Sequence, residues 1–254
     1  MVKDINSNAE RKNCFAEGRS GASCGSKTVH HCINAAAEGM GKTYTHPRQG
    51  SARDCSVIAA LSSIAAVAPA RISGAYPNYN FLSGKITLSS KRLPVDSGGS
   101  LVFASSSGGS WPMLWEKAYA KLISTATCPE PATCPDKANC AGEPDIATAF
   151  SRGYAGLTAL KEIGRYKTVV PGSIPFGASS GNLLWPAIAT TNSTLAEDAF
   201  WKRDHDYSVI KYDTVNKKYL IRNPCGGAEQ WVGGNEFQAG STYFAQWGHV
   251  EDPI

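Results

Sequence analysis

The chain carries little charge of either sign. It has 25 Lys and Arg residues against 21 Asp and Glu among 254 residues, so charged residues make up 18% and the net charge is +4. Because nucleic-acid binding requires a concentrated basic surface, this small surplus predicts no nucleic-acid partner. Hydrophobic residues make up 42%, which excludes an intrinsically disordered chain.

Long hydrophobic runs and internal repeats are also missing. No run approaches the roughly 20 apolar residues that cross a bilayer, so we expect no membrane partner. The first residues lack the apolar core of a signal peptide, although a removed signal or excision from a longer chain stays open. The length of 254 residues accommodates one large domain or two small ones, and we expect a monomer.

Most cysteines lie in stretches without a regular pattern. The clustered ones are Cys14, Cys24 and Cys32, then Cys128, Cys134 and Cys140, and the isolated ones are Cys55 and Cys225. Disulfide bonds are the favoured interpretation of the clusters, and they favour a secreted or exported protein over a cytosolic one. Zinc binding is disfavoured because paired C-x2-C spacing is missing, and free thiols in a cytosolic protein stay open. We expect Cys55 and Cys225 to be free.

Two helices are predicted in the first half of the chain. The segment that begins DCSVIAALSSIAAVAP is apolar on nearly all sides, which indicates a buried helix that starts near Asp54 and ends before Pro69. The segment SWPMLWEKAYAKLIS predicts a second helix, with Ser110 as N-cap and Pro112 in the first turn.

The segment DIATAFSRG predicts a short helical stretch. After about residue 160 the pattern changes to the short strand-like runs YKTVV, LLWPAIAT, DYSVIKYD, KYLIRN and STYFAQW. A helical first part followed by a β-rich second part predicts an α+β fold. We expect an N-terminal extension over 1–45, a helical subdomain over 46–160 and a β-rich subdomain over 161–254.

Cys55 stands at the first turn of the predicted buried helix. Unpaired backbone N–H groups and the helix dipole stabilise a thiolate at such a position, so Cys55 is a candidate nucleophile. A cysteine is also a common core residue, and that interpretation stays open. Gln49 lies six residues upstream, where a side-chain amide can donate to an oxyanion.

A predicted hairpin brings a histidine and an asparagine together. Two strand-like runs flank the polar turn 213–216, and position 214 lies midway between His205 and Asn223. Antiparallel pairing around that turn places the two side chains near each other at the open end of the hairpin. A histidine oriented by an asparagine amide is the base of a Cys-His-Asn triad.

Four sequence blocks resemble the calpain-type cysteine proteases. QGSARDCSVIAAL is similar to the nucleophile segment of that family, and HDYSV to the block around its catalytic histidine. IRNPCGGAEQW resembles the block around the catalytic asparagine, and KRLPVDSGGSLVFASSSGGSWPMLWEKAYAKL resembles a further stretch that ends in EKAYAKL. The resemblance spans about Gln49 to Trp231.

The resemblance implies a papain-like core in which a helical half with the nucleophile packs against an antiparallel β half. It implies a thiol endopeptidase that cleaves a protein or peptide substrate with Cys55, His205 and Asn223, and Gln49 as oxyanion donor. Two alternatives stay open: the same triad used for amidase or transglutaminase acyl transfer, and an inactive calpain-like binding module.

The chain departs from the family at two tryptophan positions. Ser56 replaces the tryptophan after the nucleophile, and Cys225 replaces the tryptophan of the N-P-W-G block. The apolar shield beside the His-Asn pair must then come from elsewhere, and Trp231 is the candidate that we name.

Acidic residues are also missing where the family binds calcium. His46 stands at one such position, and Ser90 and Lys91 precede R-L-P in place of acids. We therefore expect no cofactor, no metal site and activity that is independent of calcium. Asp204 and Asp206 flank His205, where they either raise its pKa or are solvated strand ends. Asp54 is interpreted as a helix-start residue.

Overall fold

A computed structural model describes residues 31–39, 41–125, 127, 142–150, 155–238 and 241–252. Within these residues the chain is a mixture of helices and antiparallel sheets, which confirms the α+β class. No helix in these ranges has both the length and the apolar character needed to cross a membrane. Cysteines 14, 24, 128, 134 and 140 lie outside the described residues, and so do the predicted pairings among them.

The two predicted helices of the first half are confirmed. Helix α1 spans Cys55–Val67 and ends at Ala68, before Pro69, and helix α2 spans Trp111–Ile123. Asp54 occupies the N-cap position of α1, but its side chain makes no capping hydrogen bond. The hydroxyl of Ser110 does not cap α2 either, because it donates to the Ala36 carbonyl at 2.7 Å.

Two shorter helices follow. Helix α3 spans Ile146–Ala149 and was predicted as a short helical stretch, whereas helix α4, Gly156–Gly164, was not predicted. Leu157, Leu160 and Ile163 of α4 lie three residues apart and are all buried. This spacing is the signal of an amphipathic helix that the sequence analysis missed. Two 3₁₀ turns complete the helical structure described, at Pro69–Arg71 and Gly234–Phe237.

Three small antiparallel sheets lie in the first half of the chain, and strands β2, β5 and β7 contact α1 or α2. Strand β1 pairs with β6, β2 pairs with β7, and β4 lies between β3 and β5. Their bounds are β1 His31–Asn34, β2 Pro47–Arg48, β3 Gly74–Ala75, β4 Asn78–Asn80, β5 Lys85–Thr87, β6 Arg92–Val95 and β7 Ser105–Ser106. The segment before β2 therefore pairs and packs with the helical part: Glu38 accepts hydrogen bonds from Tyr76 and Tyr79.

A six-stranded sheet forms the second part of the chain, in the order β12-β11-β10-β9-β13-β8. All its neighbouring strands are antiparallel. The strands are β8 Thr168–Pro171, β9 Ala187–Thr191, β10 Asp206–Asp213, β11 Lys218–Arg222, β12 Glu229–Gly233 and β13 Phe244–Glu251. Five of the six correspond to predicted runs, and β12 was missed.

Helix α1 lies between the helical part and the sheet. Its residues from Ser56 to Ala65 are all buried, and it contacts α2 and α4 as well as β9 and β10. The apolar side chains form one core around α1 and α2 and a second core on the other face of the sheet. Because α1 is apolar nearly all round, burial on every side is its stable arrangement.

Buried hydroxyl groups connect α1 to the sheet. The Ser63 hydroxyl donates to the Ala187 carbonyl at 2.8 Å and accepts from the Ala187 N–H at 2.8 Å. The Ser208 hydroxyl on β10 donates to the Ala59 carbonyl at 2.9 Å. These bonds fix both the position of α1 along its own axis and its rotation about that axis, relative to the sheet. By contrast, the Ser62 hydroxyl is buried and has no hydrogen-bond partner among the described residues.

We predict different effects on stability when two adjacent serines of α1, Ser63 and Ser62, are replaced. Ser63→Ala leaves the Ala187 amide without its partner in the core, so we expect the free energy of unfolding to fall by about 1–3 kcal/mol. Ser62→Ala removes a buried hydroxyl that bonds to no described group, so we expect stability to be unchanged or higher. Chemical denaturation of both variants measures this, and an equal loss in the two would contradict it.

Candidate active site

The first turn of α1 lies beside the beginning of β10. Cys55 is the first residue of α1, and His205 directly precedes β10. The backbone N–H of Asp206 lies close enough to the thiol to favour its charged form, and the charge of the thiol acts in turn on Tyr207. The packing of α1 on the sheet thus brings the predicted nucleophile to the residues that follow the predicted base.

His205 and Asn223 meet at the open end of the hairpin, as the sequence predicted. Strands β10 and β11 pair antiparallel with Ser208 opposite Arg222, and a bulge shifts the register between Val209 and Lys211. The imidazole Nε2 of His205 lies 3.0 Å from the Asn223 Oδ1.

The hydrogen bonds of Asn223 fix which way its amide points. Its Nδ2 donates to the Phe200 carbonyl at 2.8 Å, and its Oδ1 accepts from the Cys225 N–H at 2.9 Å. The oxygen must therefore face His205, so Nε2 of the imidazole carries the proton and donates it to Asn223. The other ring nitrogen, Nδ1, is left unprotonated when the ring is neutral.

The Nδ1 atom of His205 is buried and has no hydrogen-bond partner among the described residues. Native proteins rarely leave such a nitrogen unpaired unless it has another role. Burial lowers the pKa of His205 to about 4, and the bond to Asn223 opposes this only in part. Neither Asp204 nor Asp206 is among the charges that act on the imidazole, so nothing supports the interpretation that they raise this pKa. Asp204 is exposed, as expected of a solvated strand end, whereas Asp206 is buried.

An aromatic cluster covers the His205–Asn223 pair. The rings of His205 and Tyr207 are 5.0 Å apart, edge to face, and Phe200 and Trp201 lie 5.4 and 5.6 Å from Tyr207. The Tyr207 hydroxyl donates to the Phe200 carbonyl at 2.8 Å and accepts from the N–H of residue 202 at 2.8 Å. The segment before the histidine thus supplies the apolar shield.

Trp231 does not supply this shield, so that prediction is wrong. Trp231 lies on β12 opposite Leu220, and 40% of it is exposed. Its ring contacts the Lys211 ammonium at 5.3 Å, on the outer face of the sheet. The pair Phe-Trp at positions 200 and 201, four to five residues before the histidine, was the signal in the sequence.

Gln49 is held against both parts of the chain. Its backbone N–H donates to the Pro224 carbonyl at 2.9 Å, directly after Asn223, and its Nε2 donates to the Ala52 carbonyl at 2.8 Å. Gly50 is required next to it, because a Cβ there would lie 1.7 Å from the Phe103 carbonyl oxygen. The Gln49 side chain therefore lies in the loop that leads into the first turn of α1.

Arg222 ties the segment before Gln49 to the sheet, and the sequence analysis gave it no role. Its guanidinium donates to the carbonyls of Thr45 and Pro47 at 2.9 and 3.2 Å and to that of Gly227 at 2.6 Å. Only 3% of Arg222 is exposed. A buried guanidinium with several carbonyl partners makes the distance between these backbone segments hard to change.

The Cys55 thiol is held in its neutral form. Burial raises the pKa of the thiol, the negative charge of Asp206 adds to this, and the backbone N–H of Asp206 partly opposes it. The residue itself is partly exposed. Among the described residues no hydrogen bond joins the thiol to His205, and burial shifts the pKa of each of the two groups towards its neutral form.

One expectation about the remaining thiols is wrong. Cys55 is free, but Cys225 is disulfide-bonded, and so is Cys32. Cys225 is also buried, and its backbone N–H donates a hydrogen bond to the side-chain amide oxygen of Asn223. The residue that replaces the family's tryptophan therefore anchors the loop next to Asn223.

Other interactions occupy the positions that correspond, in the sequence resemblance, to calcium ligands of calpain-type proteases. The Trp111 indole donates to His46 Nδ1 at 3.2 Å, and burial lowers the pKa of His46. The Ser90 hydroxyl donates to Glu143, and the buried ammonium of Lys117 lies 2.6 Å from the same carboxylate. Among the described residues no group of three or more His, Cys, Asp or Glu is arranged to hold a metal. Calcium-independent activity stays a prediction.

The burial of His205 predicts acid sensitivity of the fold. The imidazole is neutral in the fold down to about pH 4 but takes up a proton in the unfolded chain near 6.5. The stabilising contribution is therefore complete above pH 6.5 and is lost as the pH falls towards 4, with a total of about 3 kcal/mol. We expect His205→Gln to flatten the curve of unfolding free energy against pH in this range. Denaturation at half-unit pH steps tests it, and parallel curves would contradict it.

Comparisons with known proteins place this site in no family. No protein-family model matches the chain, and no curated protein matches it in sequence. The functional interpretation therefore depends on the motifs between Gln49 and Trp231 and on the geometry around His205.

Proposed function

We propose that the protein is a calpain-like thiol endopeptidase with a papain-like arrangement of its two halves. Cys55 is the nucleophile, His205 the general base and acid, and Asn223 the residue that orients the imidazole. Gln49 and the backbone N–H of Cys55 form the oxyanion hole. The substrate is a protein or peptide.

One observation carries the proposal more than any other. In the 3.0 Å bond from His205 to Asn223, Nε2 carries the proton and donates it to the amide oxygen, which leaves Nδ1 as a buried acceptor with no partner among the described residues. A purely structural histidine in a core uses both nitrogens, whereas a general base requires one unprotonated nitrogen that faces its nucleophile. The free thiol at the first turn of α1 lies beside the same strand.

The first half of the reaction forms a thioester. The Cys55 proton moves to Nδ1 of His205 while the sulfur attacks the peptide carbonyl carbon and its oxygen becomes an oxyanion. Gln49 Nε2 and the Cys55 N–H donate to that oxygen. The C–N bond then breaks, and His205 returns its proton to the leaving amine.

The second half releases the acid product. A water molecule loses a proton to His205 Nδ1 and attacks the thioester carbon, and the new oxyanion is held by the same donors. The C–S bond breaks, the proton returns to the sulfur, and the carboxylic acid leaves. Asn223 keeps the ring in one orientation in both halves, because its own amide is fixed by Phe200 and Cys225.

Replacement of the nucleophile tests the reaction. We expect Cys55→Ala to abolish cleavage of a denatured protein substrate and to keep the fold, since one thiol is lost. Mass spectrometry of the products identifies the bond: new peptide termini support an endopeptidase, whereas ammonia release or cross-linked amines support the acyl-transfer alternative. Ser62→Ala, in the same helix, is the control that keeps wild-type turnover.

A reactive-thiol probe separates the enzyme from the inactive module. Alkylation at Cys55 that slows when His205 is replaced by Ala supports a base at that position. A thiol that reacts at the same rate in both proteins would contradict the assignment of His205.

The oxyanion role of Gln49 predicts a specific kinetic change. Gln49→Ala removes a donor that acts mainly in the transition state, so we expect kcat to fall on the order of 100- to 1000-fold with little change in KM. Gln230→Ala, which alters an exposed glutamine on β12, is the matched control. A rise in KM alone would assign Gln49 to substrate binding instead.

A further inference from the structure

One buried carboxyl group lies on the face of the sheet that α1 covers. Asp206 is the first residue of β10, and Ser208, two residues later, projects from the same face because side chains alternate along a strand. The Ser208 hydroxyl donates to the Ala59 carbonyl of α1 at 2.9 Å. Tyr207, between them, projects to the opposite face and packs against the His205 ring. The Asp206 carboxyl therefore points towards the helical part.

The packing of α1 on β10 places this carboxyl beside the candidate nucleophile. Ser63, one turn after Ala59, lies 3.5 Å from the Val209 carbonyl, so α1 and β10 run in the same direction along their contact. One helical turn back from Ala59, about 6 Å along the axis, is Cys55. Two strand residues back from the hydroxyl that bonds to Ala59, about 7 Å along the strand, is Asp206. The two residues therefore lie side by side.

Strand β9 and helix α4 hold the carboxyl just below the protein surface. Thr190 of β9 is paired with Asp206 in the sheet, and its hydroxyl donates to the carboxyl Oδ1. Gly156, the first residue of α4, borders the carboxyl on another side, where a Cβ would lie 2.8 Å from its carbon. Ala155 and Thr158, in the same turn, are exposed. The carboxyl thus lies between the first turns of α1 and α4, close to solvent.

The second carboxyl oxygen of Asp206 is available to a ligand. Oδ2 accepts no hydrogen bond from a described residue, and it keeps some contact with solvent. Among the described residues no cation is ion-paired with Asp206, although only 4% of the residue is exposed. Burial raises the pKa of Asp206 to about 6, so the group is mostly ionised at a pH of about 8. A nearly buried carboxylate without a cation is costly, and a cation from a ligand would offset this cost.

We propose that Asp206 is a specificity-determining residue that binds a lysine or arginine side chain of the peptide substrate near the scissile bond. The inference rests on the proposed function, because it assigns the substrate class of the same site. The ammonium or guanidinium group donates to Oδ2, and its charge offsets that of the carboxylate. The negative charge of Asp206 otherwise disfavours the Cys55 thiolate, so a bound cation also favours formation of the nucleophile.

Cleavage of a peptide library at about pH 8 tests the preference on the wild-type protein. We expect Lys and Arg to be enriched at one position near the cut. A matched peptide with norleucine at that position should lose about 10- to 100-fold in kcat/KM, as expected for one hydrogen bond between charged groups. Equal rates on the two peptides would overturn the proposal, and this measurement requires no variant.

Asp206→Asn removes the charge and keeps an oxygen for the Thr190 hydroxyl. We expect this variant to lose the preference for lysine, while kcat/KM on the norleucine peptide is unchanged or higher because the thiolate is no longer disfavoured. A merely structural role would lower both rates alike and keep their ratio, which would overturn the proposal. Asp204→Asn is the matched control and should keep the preference, since Asp204 is exposed and its positive φ suits asparagine.

Charge-selective modification of Cys55 separates this proposal from the proposed function. We expect a positively charged methanethiosulfonate to modify Cys55 faster than a negatively charged one, as followed by mass spectrometry of the Cys55 peptide. Asp206→Asn should reduce this ratio of rates, and Asp204→Asn should not. If no protein cleaves peptides but the ratio depends on Asp206, the proposed function fails and the cation-binding carboxylate stands. An equal ratio in the wild type and Asp206→Asn overturns the cation site.

Discussion

The burial of helix α1 on all sides is the constraint on which the remaining structure depends. Its residues from Ser56 to Ala65 have no solvent-exposed face, so the helix must lie between two layers. The helical part covers one side and strands β9 and β10 cover the other. The first turn of a helix has backbone N–H groups that find no partner inside the helix. In α1 these groups lie where the helical part meets the sheet. Cys55 occupies that boundary for this reason.

The parts of the site that are local in sequence could be predicted. The apolar pattern placed α1 and its first residue, and the turn at 213–216 fixed the pairing of His205 with Asn223. A hairpin register depends on its turn, so an error of one residue keeps the end residues close. The bulge between Val209 and Lys211 is such a shift, and it leaves the 3.0 Å bond intact.

The parts that depend on distant chain segments could not be predicted. In the sequence Glu116 has the pattern of an ordinary helical residue, and only the fold shows that it is buried and accepts hydrogen bonds from the Ala104 N–H. Phe200 and Trp201 are a visible aromatic pair in the sequence, but only the fold shows that the segment before His205 folds back over it. In the sequence Arg222 has the pattern of an ordinary strand residue. Its hydrogen-bond partners, the carbonyls of Thr45 and Pro47, lie about 175 residues away in sequence.

Helix α4 is a different case, because its signal was present. The pattern of Leu157, Leu160 and Ile163 repeats every three residues over a short segment, and the adjacent strand-like runs obscured it. Gly156 at its start is required by the site: a Cβ there would lie 2.8 Å from the Asp206 carboxyl carbon. The start of α4 therefore packs directly against Asp206, the residue that follows His205.

The charged groups near Cys55 limit which interactions could stabilise charge during the proposed reaction. Asp54, Glu116 and Asp206 are buried carboxyls, and burial raises the pKa of Asp206 to about 6, as it does for Asp54. The same loss of water shifts the pKa values of the thiol and of the imidazole towards their neutral forms. Among the described residues no fixed cation lies at this site, so in the proposed reaction developing negative charge would be stabilised by oriented dipoles: the Gln49 amide and the N–H groups of the first turn. Oriented dipoles are effective only if they are held rigidly. The carbonyl bonds of Arg222, the loop at Cys225 that pairs with Gln49 and the buried Ser63 of α1 provide that rigidity, because each joins the helical part to the sheet at a different point.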